Sequence, residues 1–286
     1  MRRIHPALPR RPCGRIQARG STVTPPLAVP VIQHPLLARI PGLRHGFSER
    51  RGGVSPPPFA SLNLGPRSGD APAHVRENRH RFLDAIGLAD LPVLAPRQVH
   101  SAVVSVHAAP WPLPAGGILP GDAVVTDARG VVLMVLAADC VPVLLCEPQA
   151  GVIAAVHAGW RGTSGAITSH AVAVMRKRFA CTPERIIAAL GPAIGRCCYE
   201  VGPEVVTAVA RATPGPPEAF ATVRPDGKAL LDLTAANVTQ LEAAGLHPER
   251  IGRVALCTAC QAHRFFSHRR DGEPTGRGAA AIAWLP

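Results

Sequence analysis

Three nearly uninterrupted apolar segments lie close together in the middle of the chain, and they constrain its fold more than any other feature. They span residues 131–137, 141–146 and 152–157, with only short turns between them. Strands that are apolar at almost every position are typical of a sheet buried on both faces. Asp139 and Cys140 are therefore expected in a turn between two such strands, and His157 at the end of the third.

The rest of the pattern alternates between strands and helices, which predicts one mixed α/β domain. Apolar spacing predicts helices over 75–86, 164–179, 203–210 and 231–244, and further strands over 103–106, 123–126, 185–190, 253–257 and 279–284. Pro- and Gly-rich segments at 107–121 and 212–218 predict surface loops.

The positive charge of the chain is concentrated at its start. Eight arginines precede the first acidic residue, Glu49, and subtracting them from the net charge of +12 leaves about +4. The Pro- and Arg-rich residues 1–30 predict a disordered extension, with the catalytic domain at 31–286. An alternative role for this extension is contact with nucleic acid or anionic lipid. The slight excess of positive charge in the rest of the chain does not favour a nucleic-acid-binding protein, and no nucleic-acid partner is expected.

A cytoplasmic location is expected because no secretory signal is recognised near residue 1. The longest apolar run, 131–145, is interrupted by Asp139 and Pro142, which argues against a membrane span. The eight cysteines are then interpreted as reduced thiols. The single Cys-x-x-Cys motif at Cys257 and Cys260 is weak evidence for a redox pair or a second metal site, and buried thiols are the preferred interpretation.

His100, Cys140 and His157 together offer two imidazoles and one thiolate from three separate segments. Three such ligands with an open fourth position are typical of a catalytic zinc site. However, a lone cysteine in an apolar run is more often an ordinary core residue. Four other histidines, His107, His170, His247 and His263, are equally available by type, so spacing alone leaves the ligand set open.

The segment 159–163 follows the third apolar strand and combines two glycines with Arg161. A glycine-containing turn before a helix places backbone N–H groups around an anion, and an arginine adds a fork suited to phosphate or carboxylate. Packing explains the glycines equally well. Three other polar clusters, around Arg50, Asn63 and Arg270, are first interpreted as turns.

Between about residues 45 and 285, several motifs that follow one another in the family's order resemble the YfiH-like family. This family is also labelled multicopper polyphenol oxidase, laccase and peptidoglycan editing factor. The motifs include HGFSERRGGVS (45–55), SLNLG (61–65), ENR (77–79), QVH (98–100), GDAVVTD (121–127), ADCVPVLL (138–145), AAVHAGWRGT (154–163), LGPAIGRCCYEVGPEV (190–205), CT (257–258) and FFSHRRDGEPTGR (265–277). Residues 1–30 have no recognised counterpart.

The resemblance implies a single mixed-sheet domain with layered αββα architecture and a zinc ion held by His100, Cys140 and His157. It also implies purine nucleoside phosphorylase activity on adenosine, inosine, guanosine and methylthioadenosine, with adenosine deaminase activity. The expected partners are thus a nucleoside and phosphate, bound by Arg50, Asn63, Arg161 and Arg270. Asp139 is expected beside the ligands, either handling protons or in a structural role.

Two other functions use the same residues. Cys140 as nucleophile and His157 as base would make a metal-free cysteine hydrolase, which would suit the editing of cell-wall precursors. Copper-dependent oxidation of polyphenols is the other alternative. Clusters of several copper ions need more histidines, in His-x-His pairs that are not found here, although one copper ion could bind at the zinc site. The oligomeric state is not predicted.

Overall fold

The structure is a computed structural model that describes residues 28–109 and 112–286. Nearly all of the predicted extension, residues 1–30, lies outside these ranges, so the division at residue 30 stays a prediction. Among the described residues, no helix combines the length and the apolar character that a membrane span needs.

The described residues form fifteen strands and seven α-helices. The strands are β1 (Val31–Ile32), β2 (Leu43–Ser48), β3 (Val93–Arg97), β4 (Val104–His107), β5 (Ile118–Pro120), β6 (Ala123–Thr126), β7 (Val132–Ala137), β8 (Val141–Glu147), β9 (Val152–Ala158), β10 (Ile187–Leu190), β11 (Glu200–Val201), β12 (Ala221–Val223), β13 (Ala229–Leu231), β14 (Ile251–Arg253) and β15 (Gly278–Trp284). The helices are α1 (Pro35–Ala38), α2 (Pro72–Asp84), α3 (Trp160–Ser164), α4 (Ile167–Phe179), α5 (Pro203–Ala212), α6 (Leu233–Ala243) and α7 (His268–Asp271).

Two six-stranded mixed sheets pack face to face between layers of helices. Their strand orders are β1-β2-β15-β7-β3-β5 and β14-β10-β8-β9-β6-β4, and a small third sheet has the order β11-β13-β12. Leu133 and Ile282 of the first sheet join Leu144 and Ile153 of the second in the core between the sheets. Helix α2 covers the outer face of the first sheet, and α4 and α6 cover the second. The predicted αββα layering is confirmed.

The three central apolar segments are strands, as predicted, and their side chains are buried on both faces. In β9, Ile153 and Ala155 face the opposite sheet, whereas Val152, Ala154 and Val156 pack with the helices. Burial on both sides removes the alternation that a half-exposed strand would show. This doubly buried strand is therefore a rigid support for whatever lies at its ends.

Three predicted elements differ from the structure. The surface loop predicted over 107–121 contains strand β5, which pairs with β3. The helix predicted over 164–179 is divided into α3 and α4, because Ala166 between them has φ = 54°, a left-handed conformation that interrupts a right-handed helix. The strand predicted over 253–257 is wrong in position. The segment pairs with β10 only as far as Arg253, and Cys257 forms an isolated bridge with Ala193.

Candidate active site

Strand register brings the predicted ligands to one end of the second sheet. β8 and β9 run antiparallel with Pro142 opposite His157, so Cys140, just before β8, lies beside the end of β9. β6 pairs with the other edge of β9, with Ala123 opposite Val156. Asp122, the residue before β6, therefore also lies beside His157.

His100, Cys140 and His157 meet at this point. Their ligand atoms all lie within 4.8 Å of one another, and the Cys140 Sγ is 3.9 Å from the His100 Nε2. The two imidazole rings are 5.0 Å apart between centroids, at an angle of 75°. His157 is buried, Cys140 is half-buried and His100 is exposed, so the cluster opens to solvent on the His100 side.

Asp122 organises two of these three residues, although sequence reasoning gave it no role. Its fully buried carboxylate lies 2.9 Å from the Nδ1 of His157. It also accepts hydrogen bonds from the N–H groups of Val99, His100 and Ser101. A proton on Nδ1 that points at Asp122 leaves the Nε2 of His157 with a lone pair for a metal ion.

The backbone also fits closely around the cluster. His100 has φ = 61°, a left-handed conformation that is uncommon outside glycine, and the hydrogen bond from its N–H to Asp122 fixes it. Gly159 follows β9, and a Cβ at this position would lie 2.9 Å from the Sγ of Cys140 and 3.0 Å from the Cδ2 of His100. Only glycine leaves room for both side chains.

The charges of the cluster favour a thiolate. Burial would raise the pKa of Cys140, but the charge of His157 and hydrogen bonds from His100 and His157 bring it down to about 6. Burial would lower the pKa of His157, but Cys140 and Asp122 raise it to about 9. Zinc binds a thiolate and neutral imidazoles. The lowered pKa of Cys140 supplies the thiolate directly.

The cluster lies in the wall of a cavity of about 550 Å³, within the range of small-molecule sites. In the part of the chain that the structure describes, four arginines line this cavity: Arg67, Arg161, Arg269 and Arg277. Arg269 and Arg277 are held by hydrogen bonds to neighbouring groups, Glu200 and Glu273 among them. Within the described ranges, the guanidinium groups of Arg67 and Arg161 make no hydrogen bond or ion pair.

Comparison with known proteins identifies the family of this chain. The family model described as multi-copper polyphenol oxidoreductase laccase matches residues 44–285. The purine nucleoside phosphorylase YlmD of Geobacillus stearothermophilus is 39% identical over 244 residues, which cover 83% of this chain and 88% of the relative. A purine nucleoside phosphorylase of Deinococcus radiodurans is 42% identical over 255 residues, covering 89% and 92%.

Solved structures are similar as well. The crystal structure of YlmD from Geobacillus stearothermophilus has a TM-score of 0.81 and 36% identity, and the match covers 88% of this chain and 94% of that one. The Neisseria meningitidis protein NMB0706 gives a TM-score of 0.77 at 36% identity, covering 91% and 100%. This chain belongs to the YfiH-like laccase-domain family.

Within this family fold, three of the predicted substrate contacts lie outside the lining of the cavity. Asn63 is fully buried and bonds to Ser68, to Asp70 and to the N–H of Arg277. Arg50 donates to the carbonyls of Ala60 and Ala262. These contacts match the turn interpretation, which sequence spacing had favoured.

Arg270, the third of these residues, is likewise bonded to the protein. Its guanidinium donates to the carbonyls of Thr258, Ala259 and Phe265. The structure therefore places Arg161 alone, of the four predicted substrate contacts, in the cavity lining. Its guanidinium stacks on the Trp160 ring at 4.4 Å.

Asp139 lines the cavity beside Cys140, but it bonds to other groups. Its carboxylate accepts from the hydroxyl of Thr258 at 2.6 Å and from the N–H of Arg269 at 2.7 Å. These bonds hold two cavity-lining loops together, which matches the structural alternative predicted for Asp139. Gln98, which sequence reasoning also left without a role, exchanges two hydrogen bonds with the backbone of Leu136 and fixes the segment before His100.

Proposed function

We propose that this protein is a zinc-dependent purine nucleoside phosphorylase that also deaminates adenosine. The observation that carries the proposal is the convergence of His100, Cys140 and His157 in the wall of an arginine-lined cavity. Relatives about 40% identical over most of the chain are named purine nucleoside phosphorylase, which supports the same reaction class.

The donor set fits a zinc ion with an open position. Two imidazole nitrogens and one thiolate are ligands that zinc prefers, and three protein ligands leave a fourth site vacant. A bound zinc ion supplies a Lewis acid and lowers the pKa of coordinated water to ~7. Asp122 orients His157 towards the ion, and the half-buried position of Cys140 keeps the thiolate within reach of substrate.

Phosphorolysis needs an anion site and a surface for the purine. Arg67 and Arg161 have unpaired guanidinium groups within the described part of the chain, which suit phosphate recognition. The rings of Trp160 and Tyr199 line the same cavity and offer apolar faces for a base. Phosphate oxygen then forms a bond to the ribose C1′, the C1′–N9 bond breaks, and the purine leaves with a proton.

Deamination would use the same cavity with water in place of phosphate. Water attacks C6 of adenine, its protons pass to the leaving amino group, and ammonia and inosine result. Both reactions place the purine near the cluster of His100, Cys140 and His157, so one substitution in this cluster affects both products.

Product analysis tests the proposal directly. Adenosine is incubated with the full chain, with and without inorganic phosphate, and the products are separated by HPLC. Adenine that appears only with phosphate indicates phosphorolysis, and inosine indicates deamination. Cys140→Ala is expected to lower both rates about 100-fold or more, because it removes a metal ligand. Cys13→Ala, which removes a thiol far away in sequence, is the matched control. A wild-type protein that gives neither product refutes the proposal.

A second candidate is a metal-free cysteine hydrolase acting on cell-wall precursors. The observation that favours it is the hydrogen bond from His157 to Asp122, since Cys140, His157 and Asp122 are arranged as nucleophile, base and orienting acid. Elemental analysis of the anaerobically purified wild type, compared with its His100→Ala/Cys140→Ala variant, separates the two functions. One metal ion per chain that the wild type holds and the variant lacks supports the phosphorylase, and an active wild type without this additional ion supports the hydrolase.

Copper is the competing metal. Two histidines and one cysteine also occur in blue-copper sites, which add a distant axial methionine. Among the described residues, those that line this cavity include no methionine. Copper would give an intensely coloured protein after aerobic reconstitution, and zinc would give a colourless one, so visible spectra and elemental analysis identify the metal.

A further inference from the structure

We propose that Cys197, Cys198, Cys257 and Cys260 bind a structural Zn²⁺ ion at a second site, separate from the cluster of His100, Cys140 and His157. The sulfur atoms of these four residues, called here the four-cysteine cluster, all lie within 4.8 Å of one another. Their proximity could not be deduced from the sequence, because about 60 residues separate Cys198 from Cys257.

The spacing of the sulfur atoms fits tetrahedral zinc. The Sγ of Cys260 lies 3.5 Å from that of Cys197 and 3.4 Å from that of Cys198. Four Zn–S bonds of about 2.3 Å in a tetrahedron put sulfur atoms roughly 3.8 Å apart. The observed distances are close to this value and well above the roughly 2.05 Å of a disulfide bond.

The cluster is built on two turns held together by the backbone. Cys197 and Cys198 lie in a turn at 196–198, and Cys260 ends a turn at 258–260. Cys257, just before the second turn, forms an isolated parallel bridge with Ala193. The N–H of Gly195 donates to the Sγ of Cys257 at 3.2 Å, the kind of hydrogen bond that supports a metal-bound thiolate.

The exposure of these cysteines argues against ordinary core packing. Cys146 and Cys181, the structural thiols of this fold, are 0% and 2% exposed. Cys197 and Cys260 are exposed, and Cys198 and Cys257 are half-buried. Free cysteine is among the most buried residue types, and packing gives no reason to gather four of them at a surface. Binding a metal ion does.

Arg270, whose charge is paired with that of Asp271, supports the second turn of the cluster. Arg270 donates to the carbonyl oxygens of Thr258 and Ala259, so its guanidinium lies against the turn that joins Cys257 and Cys260. Four sulfur ligands close the coordination sphere, which is the pattern of a structural rather than a catalytic zinc site. Arg270 thus holds the turn that joins two of the four proposed ligands.

An ion at the four-cysteine cluster would also fix part of the wall of the cavity. Tyr199, next to Cys198, lines the cavity. Thr258, next to Cys257, donates to Asp139 beside Cys140. An ion that joins the two turns therefore holds both of these contacts in place, although it touches no substrate.

Zinc content in a variant that lacks the first site tests the inference independently of the proposed function. The full-length His100→Ala/Cys140→Ala variant is purified anaerobically from zinc-supplemented cells, and its metal is measured by mass spectrometry. We expect about one zinc ion per chain, with X-ray absorption showing four sulfur neighbours at about 2.3 Å. Adding Cys260→Ser is expected to abolish this zinc, whereas adding Cys13→Ser leaves it unchanged.

A second variant and a second metal distinguish the loss of a zinc ligand from misfolding of a single variant. Cys197→Ser, on the other turn, is expected to lose the same ion. Cobalt added to the metal-free double variant is expected to give thiolate-to-cobalt charge-transfer bands, which Cys260→Ser removes. The proposal is overturned if the double variant holds no zinc, if Cys260→Ser retains it, if the metal is iron, or if two of the four cysteines form a disulfide in the anaerobic protein.

Discussion

At the scale of single residues, Asp122 shows how one buried carboxylate can position two histidines, His100 and His157. It binds the ring of His157 and three consecutive N–H groups around His100. The substitution Asp122→Asn keeps the size of the side chain but removes the charge. We expect metal affinity to fall about 10- to 100-fold, the usual effect of losing a carboxylate behind a ligating histidine.

Competition with a chromogenic chelator measures that affinity. Asp90→Asn, an exposed aspartate, is the control and should bind metal as the wild type does. Unchanged affinity in Asp122→Asn would mean that Asp122 does not orient a metal-binding histidine.

Gly159 gives a second prediction at this scale. Its φ of −75° is accessible to alanine, so the added Cβ acts through space, where it meets Cys140 and His100. Gly159→Ala is expected to keep the fold but to lose the metal ion held by His100, Cys140 and His157, and most activity. Gly227→Ala is the control, since its Cβ meets open space while φ = 80° strains the backbone. That variant should lose stability, about 1 kcal/mol, and keep its metal. Metal content and thermal unfolding are measured on both.

The ligand residues could be nominated from the sequence because each lies at the end of an apolar segment or beside one. Asp122 was missed because nothing in its local sequence pairs it with His157. That contact depends on the register of β6 with β9. Arg50 and Arg270 were assigned to substrate from the family resemblance. Their bonds to carbonyl groups, such as those of Ala262 and Phe265, could not be predicted because these partners become neighbours only through the fold of the loops.

At the scale of elements, a buried polar network joins α3, α4 and α6. Gln240 of α6 is fully buried, donates to the carbonyl of Thr163 and the hydroxyl of Thr213, and accepts from Thr168. Gln240→Ala leaves these groups without a partner. We expect the free energy of unfolding to fall by roughly 2–4 kcal/mol.

Urea denaturation measures the change in unfolding free energy. Thr239→Ala on the same helix removes a half-buried hydroxyl that bonds within the helix, and it should cost less than about 1 kcal/mol. Equal effects of the two substitutions would show that the network contributes nothing beyond helix packing.

The length of an element decided whether it could be predicted. The apolar strands β7, β8 and β9 and the long helices α2 and α4 carry enough periodic residues for recognition. Short strands such as β1, β5 and β11 have two or three residues, too few to show a period. They form because neighbouring strands offer hydrogen bonds to their backbones.

At the scale of the whole molecule, Glu49 links distant parts of the chain. Its buried carboxylate bonds to Arg51 and to Arg264, which lies 215 residues away in sequence. Burial opposes its ionisation, but hydrogen bonds from both arginines outweigh burial and lower the pKa of Glu49. Stabilisation from a lowered pKa is present above the unfolded value of ~4.3 and is lost as pH falls through the folded value.

Glu49→Gln is therefore expected to lower the free energy of unfolding at pH 7 by about 1–3 kcal/mol. The difference from wild type should shrink as the pH approaches 3, because the wild-type carboxylate then becomes protonated. Denaturant unfolding across this range measures it, with exposed Glu218→Gln as the control. A difference that stays constant with pH would show that the charge of Glu49 is not responsible.

The sequence by itself determined the layered class of the fold, the doubly buried central strands, the family, and the types of residue that could bind a metal. These are local properties, recorded in the order of apolar and polar residues and in contiguous motifs. Only the tertiary structure decided which side chains meet. Strand register placed Asp122 behind His157, and two distant turns formed the four-cysteine cluster. Such contacts depend on pairing between segments far apart in the chain, which no local pattern encodes.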